Sequence, residues 1–174
     1  MFKDNSLIPA EAVRLAALGL LADGPRRYGD LAMEIRHFIG LAVGPSLELM
    51  GSSLEMLRYE GLASTSGGAG MSDNAVLTLT PAGRARLLEL LTAKLRAPMN
   101  DSGRLTLLLK LRFLHHLPEG ERKAQRGGIA ESLEAERSRL EELRRLNAGS
   151  AALGAWLARD IADLSARLEE LRAA

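Results

Sequence analysis

Residues 46–83, SLELMGSSLEMLRYEGLASTSGGAGMSDNAVLTLTPAG, place three structural signals end to end. Leu47, Met50, Leu54 and Leu57 recur at spacings of three, four and three. That spacing keeps them on one face of a helix over about 46–60 and leaves the opposite face free. Gly61 stands where a helix C-terminus calls for a left-handed residue. Two β-prone runs follow, at 62–65 and 75–79, on either side of a Gly- and Ser-rich tip at 66–74. Thr80–Pro81 then supplies an N-cap and a first-turn proline, so a new helix begins at once. A helix, a hairpin and a proline-started helix in this order form the core of a winged helix-turn-helix.

Working outward, the periodicity predicts helices over about 9–22 and 28–39. In the second, Leu31, Ile35 and Phe38 form an inward stripe that Gly40 is expected to end. The proline-started helix should run from Pro81 to about Leu95. Ala97 to Gly103 reads as a linker, with Ser102 capping a helix over 104–117 that Pro118 closes. A further helical stretch runs from Pro118 to Leu146, and Gly127–Gly128 is expected to bend or break it. Its second half is dense in Glu and Arg three or four apart, such as Glu141 with Arg144 and Arg145, and reads as a solvated face. The last helix carries Leu153, Leu157, Ile161, Leu164, Leu168 and Leu171, spaced four, four, three, four and three. Such a seam needs a partner. The expected fold class is therefore mainly α with a small β-hairpin wing. Residues 1–96 form a winged helix-turn-helix domain, 97–103 a linker, and 104–174 a helical dimerisation domain. In the expected homodimer the interface is built from Leu133, Leu140, Leu143, Leu153, Trp156, Leu157, Ile161, Leu164, Leu168 and Leu171.

Composition narrows the function. The chain has 174 residues, 47% hydrophobic content, no cysteine and a formal net charge of +1. A packed core is affordable at that length, while disulfides, thiolate chemistry and cysteine-bound zinc are excluded. No run approaches the roughly 18 to 20 apolar residues that span a bilayer, and Met1 to Asn5 lacks the pattern of a secretory signal, so a cytoplasmic protein is expected. Catalytic motifs are missing. Adjacent His115 and His116 would point about 100° apart on a helix, poor geometry for one metal. Gly67 to Gly70 lacks the Lys-Ser or Lys-Thr of a phosphate loop and leads into a strand, and Ser52–Ser53 has no histidine base nearby in sequence. Neither an enzyme, a cofactor nor a metal site is expected.

Several ordered segments carry a resemblance to a known family. They are Leu18 to Pro25, Leu31 to Ile35, Leu54 to Leu62, Leu79 to Arg84, Leu108 to Phe113, Trp156 to Arg159 and Leu168 to Leu171. In content and order the chain resembles the PadR family of bacterial transcriptional regulators over nearly its whole length. The resemblance implies a dimeric DNA-binding regulator, expected to be a repressor, with Ser46, Gly51, Ser52 and Arg58 of the recognition helix meeting bases or phosphates. It further implies that Arg26, Arg27 and Tyr28 steady the start of the second helix on the DNA backbone. A small apolar effector is a candidate partner, with Trp156 either a wall of its pocket or an anchor of the dimer interface.

Charge keeps a second reading open. Residues 1–80 hold six basic and nine acidic side chains, a balance of minus three, and the rest of the chain is plus four. Glu48 and Glu55 fall on the free face of the recognition helix, and no Lys or Arg occurs from Ser64 to Thr80. Carboxylates repel phosphate, and non-specific DNA affinity comes from Lys and Arg displacing counterions. The alternative is a winged-helix protein-interaction module without DNA affinity, which would bind a protein partner through that acidic face.

Overall fold

The computed structural model describes residues 7–44, 50–66, 74–95 and 99–173, and for residues 50–53 only the backbone course. The chain is mainly helical with one small sheet. Its elements are α1 (Pro9–Ala22), β1 (Arg26–Arg27), α2 (Tyr28–Val43), α3 (Met50–Tyr59), β2 (Ala63–Ser66), β3 (Val76–Leu79), α4 (Pro81–Thr92), α5 (Asp101–Phe113), a 3₁₀ turn (Leu114–His116), α6 (Glu119–Leu146) and α7 (Ala151–Ala173).

Helix α1 is apolar almost all round, which is the pattern of a central helix. Val13, Leu15, Ala17, Leu18, Leu20 and Leu21 are all buried, and α2, α3, α4, α5 and β3 pack around them. Pro9 opens the helix, and the Glu11 carboxylate accepts the Ile8 N–H at 3.1 Å. Helix α2 buries Leu31, Ile35 and Ile39 with Phe38 half-buried beside them. It runs through Gly40, which meets no packed neighbour, and ends at Gly44, whose φ of 91° breaks the helical path. An interior glycine costs about 1 kcal/mol, too little to stop a helix with three buried anchors.

Leu54 and Leu57 seat α3 in the same core, as the spacing predicts. Leu47 and residues 67–73 of the Gly-rich tip lie outside the described residues. At the C-terminus of α3 the Gly61 N–H bonds Arg58 O at 3.0 Å and the Leu62 N–H bonds Leu57 O at 2.8 Å, with Gly61 at φ 69°. This is the paired-bond cap that needs a left-handed residue. Strand β3 lies in the middle of an antiparallel sheet of order β1-β3-β2, with Ala63 opposite Leu79 and Arg26 opposite Leu77. The hairpin is the predicted wing. The third strand is only two residues long, too short to show any alternation in sequence. Thr80 locks the wing to α4: its hydroxyl accepts from Gly83 N at 3.0 Å and donates to Gly61 O at 2.7 Å. Gly83 is obligatory there, since a Cβ would come within 2.0 Å of the Leu62 carbonyl oxygen.

Beyond the wing the structure corrects several boundaries. Helix α4 ends at Thr92 rather than about Leu95. Helix α5 begins at Asp101 rather than Arg104, because Asn100 and not Ser102 is the cap, its Oδ1 accepting from Gly103 N at 2.9 Å. Helix α6 passes through Gly127 and Gly128 unbroken, anchored by buried Ile129 and Leu133 on one side of the pair. Its ion pairs are Glu134 to Arg137, Glu136 to Arg139 and Glu142 to Arg145 at i,i+3 and Arg137 to Glu141 at i,i+4, in place of Glu141 with Arg144 and Arg145. His115 and His116 leave α5 in the tighter 3₁₀ turn, and their rings stand 4.1 Å apart where divergence was expected.

Two apolar cores result. The larger encloses α1 with α2 to α5; the smaller joins Leu107 of α5 to Ile129 and Leu133 of α6 and Leu164 and Leu168 of α7. The seam of α7 thus has its partner inside the chain, in α6 packed alongside it. Helix α5 contributes to both cores, through Leu105, Leu109 and Phe113 on one side and Leu107 on the other. Its Lys110 is fully buried, and Nζ donates to the carbonyls of Leu90 at 3.3 Å, of Leu91, and of Ala93 at 2.6 Å, and to Gln125 Oε1 at 3.3 Å. Burial pushes this amine down to about 7. The ammonium caps the negative end of the α4 dipole and ties α4, α5 and α6 at one point.

Two outcomes are expected. Gly19 faces the buried Phe113 ring, which a Cβ would meet at 2.5 Å, so Gly19→Ala should lower stability by about 1 to 3 kcal/mol despite alanine's better helix propensity, as read by chemical denaturation. Lys110→Met leaves carbonyls of α4 without a donor and should cost about 2 to 3 kcal/mol. Between pH 7 and 10 the unfolded chain holds a proton that the folded amine has released, so wild-type stability should rise relative to the variant as pH increases across that window.

Candidate nucleic-acid interface

The residues expected to meet DNA fall into two groups. Helix α3, the expected recognition helix, is held by Leu54 and Leu57 and turns Glu55, Met56 and Tyr59 outward, Tyr59 being 73% exposed. Arg58 is half-buried and lies over the Tyr59 ring at 5.2 Å, a cation–π contact that holds the guanidinium against the helix. Ser46 and Glu48 lie outside the described residues. Gly51 and Ser52 belong to the first turns of α3, with nothing described of their side chains.

The second group sits at the start of α2, and its members differ. Arg26 turns back onto the protein: Nε donates to Leu20 O at 3.2 Å and a terminal nitrogen to Glu34 at 3.1 Å. Glu34 takes a second cation, Arg112 of α5, at 2.6 Å, and Arg112 also stacks at 5.2 Å on both Phe38 and Phe113. One carboxylate between two guanidiniums therefore joins β1, α2 and α5. Arg27 is exposed and, among the described residues, forms no ion pair. Tyr28 is half-buried against the larger core, and its N–H bonds Ala75 O at 2.9 Å. Strand pairing explains the difference: opposite β3, successive residues face opposite sides, which directs Arg26 inward and Arg27 outward.

Sequence reasoning passed over Arg36, exposed on α2 and, among the described residues, without an ion pair. It also passed over Glu34, whose role depends on α5 arriving beside α2 from 78 residues away. Arg14 pairs with Glu60 at 2.8 Å and so bridges α1 to the end of α3. The exposed cations of the described head are thus few: Arg27 at β1, Arg36 on α2, Arg84 on α4 and Lys94 just beyond it.

The residues expected at a dimer interface separate by burial. Leu133, Leu157, Leu164 and Leu168 are buried within the chain, and Leu140, Leu153, Ile161 and Leu171 are half-buried. Leu143 and Trp156 are exposed near the tip of the α6–α7 hairpin, where Leu146 is 66% and Trp156 67% exposed. A groove of about 540 Å³ runs between α5 and the hairpin, lined by Leu107, Leu111, Leu140 and Leu164 with Arg104 and Arg167. No helix among the described residues is long and apolar enough to cross a membrane.

Comparison with known proteins bears on what such a molecule is. A family model described as "Putative AphA-like transcriptional regulator" matches residues 2–173. That family is one of transcriptional regulators and not of enzymes. Among solved structures the chain is similar to Bacillus subtilis PadR in complex with p-coumaric acid, at 18% identity and a TM-score of 0.43 over 97% of this chain and 96% of that one. It is likewise similar to smu.1604c from Streptococcus mutans UA159, at 15% identity and 0.40 over 92% and 96%. Bacillus subtilis PadR in complex with operator DNA gives 20% identity and 0.40 over 92% and 94%. No curated protein sequence matches the chain.

Because Arg26 is held on the protein and Arg27 is not, their replacements should separate. Arg26→Gln is expected to lower the melting temperature, by an amount equivalent to about 1 kcal/mol or less for a pair one-third exposed, whereas Arg27→Gln should leave it unchanged in differential scanning fluorimetry.

Proposed function

The chain belongs to the AphA-like family of transcriptional regulators, and on that premise we propose that it is a dimeric DNA-binding repressor. The observation that carries this reading is the seating of α3, pinned to α1 by Leu54 and Leu57 beside the β2–β3 wing with its opposite face in solvent. That is the posture in which a helix enters a major groove. Two such helices about 34 Å apart would read successive grooves on one side of the duplex. Arg27 and Arg58 supply the phosphate contacts in this scheme, joined by Ser46, Gly51, Ser52 and Tyr28, while Arg26 acts from beneath by fixing the turn that presents Arg27.

The homodimer is formed by the α6–α7 hairpins, whose exposed Trp156, Leu143 and Leu146 make an apolar tip that one chain leaves uncovered. In this division residues 1–96 bind DNA, 104–174 dimerise, and α5 is the shared helix that couples them. A small apolar effector would enter the groove beside α5 and shift the pose of the two heads by population. Such a regulator works in the cytoplasm. A second reading, a protein-binding module, draws on exposed Glu55 flanked by Met56 and on the sequestration of Arg26, which leaves the head poor in available cations.

A gel-shift titration with the gene's own upstream region tests the proposal. Affinity should fall steeply with salt, and Arg27→Ala or Arg58→Ala should weaken binding and reduce the slope of log affinity against log salt by about one each. No shift at low salt would favour the protein-binding module. Light scattering should return about twice the 18.8 kDa chain mass, and Trp156→Asp should return it to the monomer.

A further inference from the structure

Where α1 ends, three metal-ligating side chains meet that regulator chemistry does not use. Asp23 follows the last turn of α1, and the 3₁₀ turn after α5 brings His115 and His116 to it from 92 residues away. Nε2 of His115 stands 3.3 Å from Asp23 Oδ1 and Nε2 of His116 stands 3.0 Å from the same oxygen. All three ligand atoms lie within 4.8 Å of one another. Bonds of about 2.1 Å to a common ion, at tetrahedral or octahedral angles, would separate neighbouring ligand atoms by roughly 3.0 to 3.4 Å. Both measured separations fall in that range.

The state of His116 points the same way. Its side chain is only 9% exposed, and among the described residues its Nε2 makes no aligned hydrogen bond despite its closeness to Asp23. A nearly buried ring nitrogen that faces a carboxylate oxygen at 3.0 Å out of good hydrogen-bond alignment is placed to share an ion with it. The ring is held in place, stacked on Phe113 at 6.2 Å on one side and beside His115 on the other. Burial keeps His116 below the ordinary imidazole value, aided by His115 and Arg84 and opposed by Asp23. His115 is 56% and Asp23 35% exposed, so the cluster opens to solvent on one side, which gives an ion both an entry path and water for its remaining positions.

We propose that Asp23, His115 and His116 form a binding site for one divalent transition-metal ion, clasping the C-terminus of α1 to the end of α5. Two imidazoles and a carboxylate suit zinc, cobalt, nickel or copper ions and not magnesium or calcium, which prefer all-oxygen shells. The proposal does not rest on the DNA-binding reading: the cluster joins the end of α1 to the 3₁₀ turn after α5.

The test uses the full-length chain without a histidine tag, stripped with chelator and titrated with cobalt(II). One equivalent should bind with the visible absorption of a nitrogen- and oxygen-ligated ion, and zinc should displace it and raise the melting temperature. Asp23→Asn and His115→Ala, both at partly exposed positions, should each weaken binding about ten-fold or more while keeping the helical circular dichroism, and His37→Ala should bind as wild type does. Absence of saturable binding, or binding equally strong in Asp23→Asn and His115→Ala, would overturn the site.

Discussion

Lys110 is a charged residue with no exposed surface, placed where α4 stops and α5 and α6 begin to share a core. An ammonium in such a position is tolerable only if every proton finds an oxygen, and the C-terminal carbonyls of α4 are the groups a helix leaves unsatisfied. Each solves the other's problem. Gln125 completes the arrangement, accepting from Lys110 and donating to Thr92 O at 3.1 Å, so that α6 is bound to the same helix end. The winged head and the long hairpin are thereby joined through directional bonds as well as apolar contact. Any change in the course of α6 must work against these bonds.

The crossing of α1 and α5 imposes the second condition. Gly19 lets the Phe113 ring lie directly on α1, and Phe113 in turn meets Arg112 at 5.2 Å and the His116 ring at 6.2 Å. One close approach thus positions two separate polar arrangements: the Glu34 carboxylate between Arg26 and Arg112, and the Asp23 cluster with its two histidines. Both tie α5 and the turn after it to the helices of the head, so a displacement of α5 would disturb them together.

Much of this molecule was legible without coordinates. The Leu54 and Leu57 pair, Gly61, the two wing runs and Thr80–Pro81 each act over four residues or fewer, and each stands where its local chemistry requires. Gly40 as a helix end and Gly127–Gly128 as a bend or break fail for one reason: a glycine ends a helix only when positive φ or a close approach demands it, and these three meet open space in unbroken helices. The candidate site was less legible. Arg26 and Arg27 are identical in type and adjacent in sequence, and only the pairing of Arg26 with Leu77 and Arg27 with Val76 tells inward from outward.

Sequence by itself determined the order of helices and strands, the wing, and the caps, because those depend on periodicity and on backbone demands met within a turn or two. Tertiary structure decided which partner each apolar seam would take, since α6 covers the leucines of α7 that periodicity could only mark as needing cover. It decided as well the fates of Lys110, Glu34 and the two adjacent histidines, whose partners lie 8 to 92 residues away in the chain. Burial and charge pairing at such separations follow from how helices cross, and a crossing is a property of two surfaces that no single stretch of residues contains.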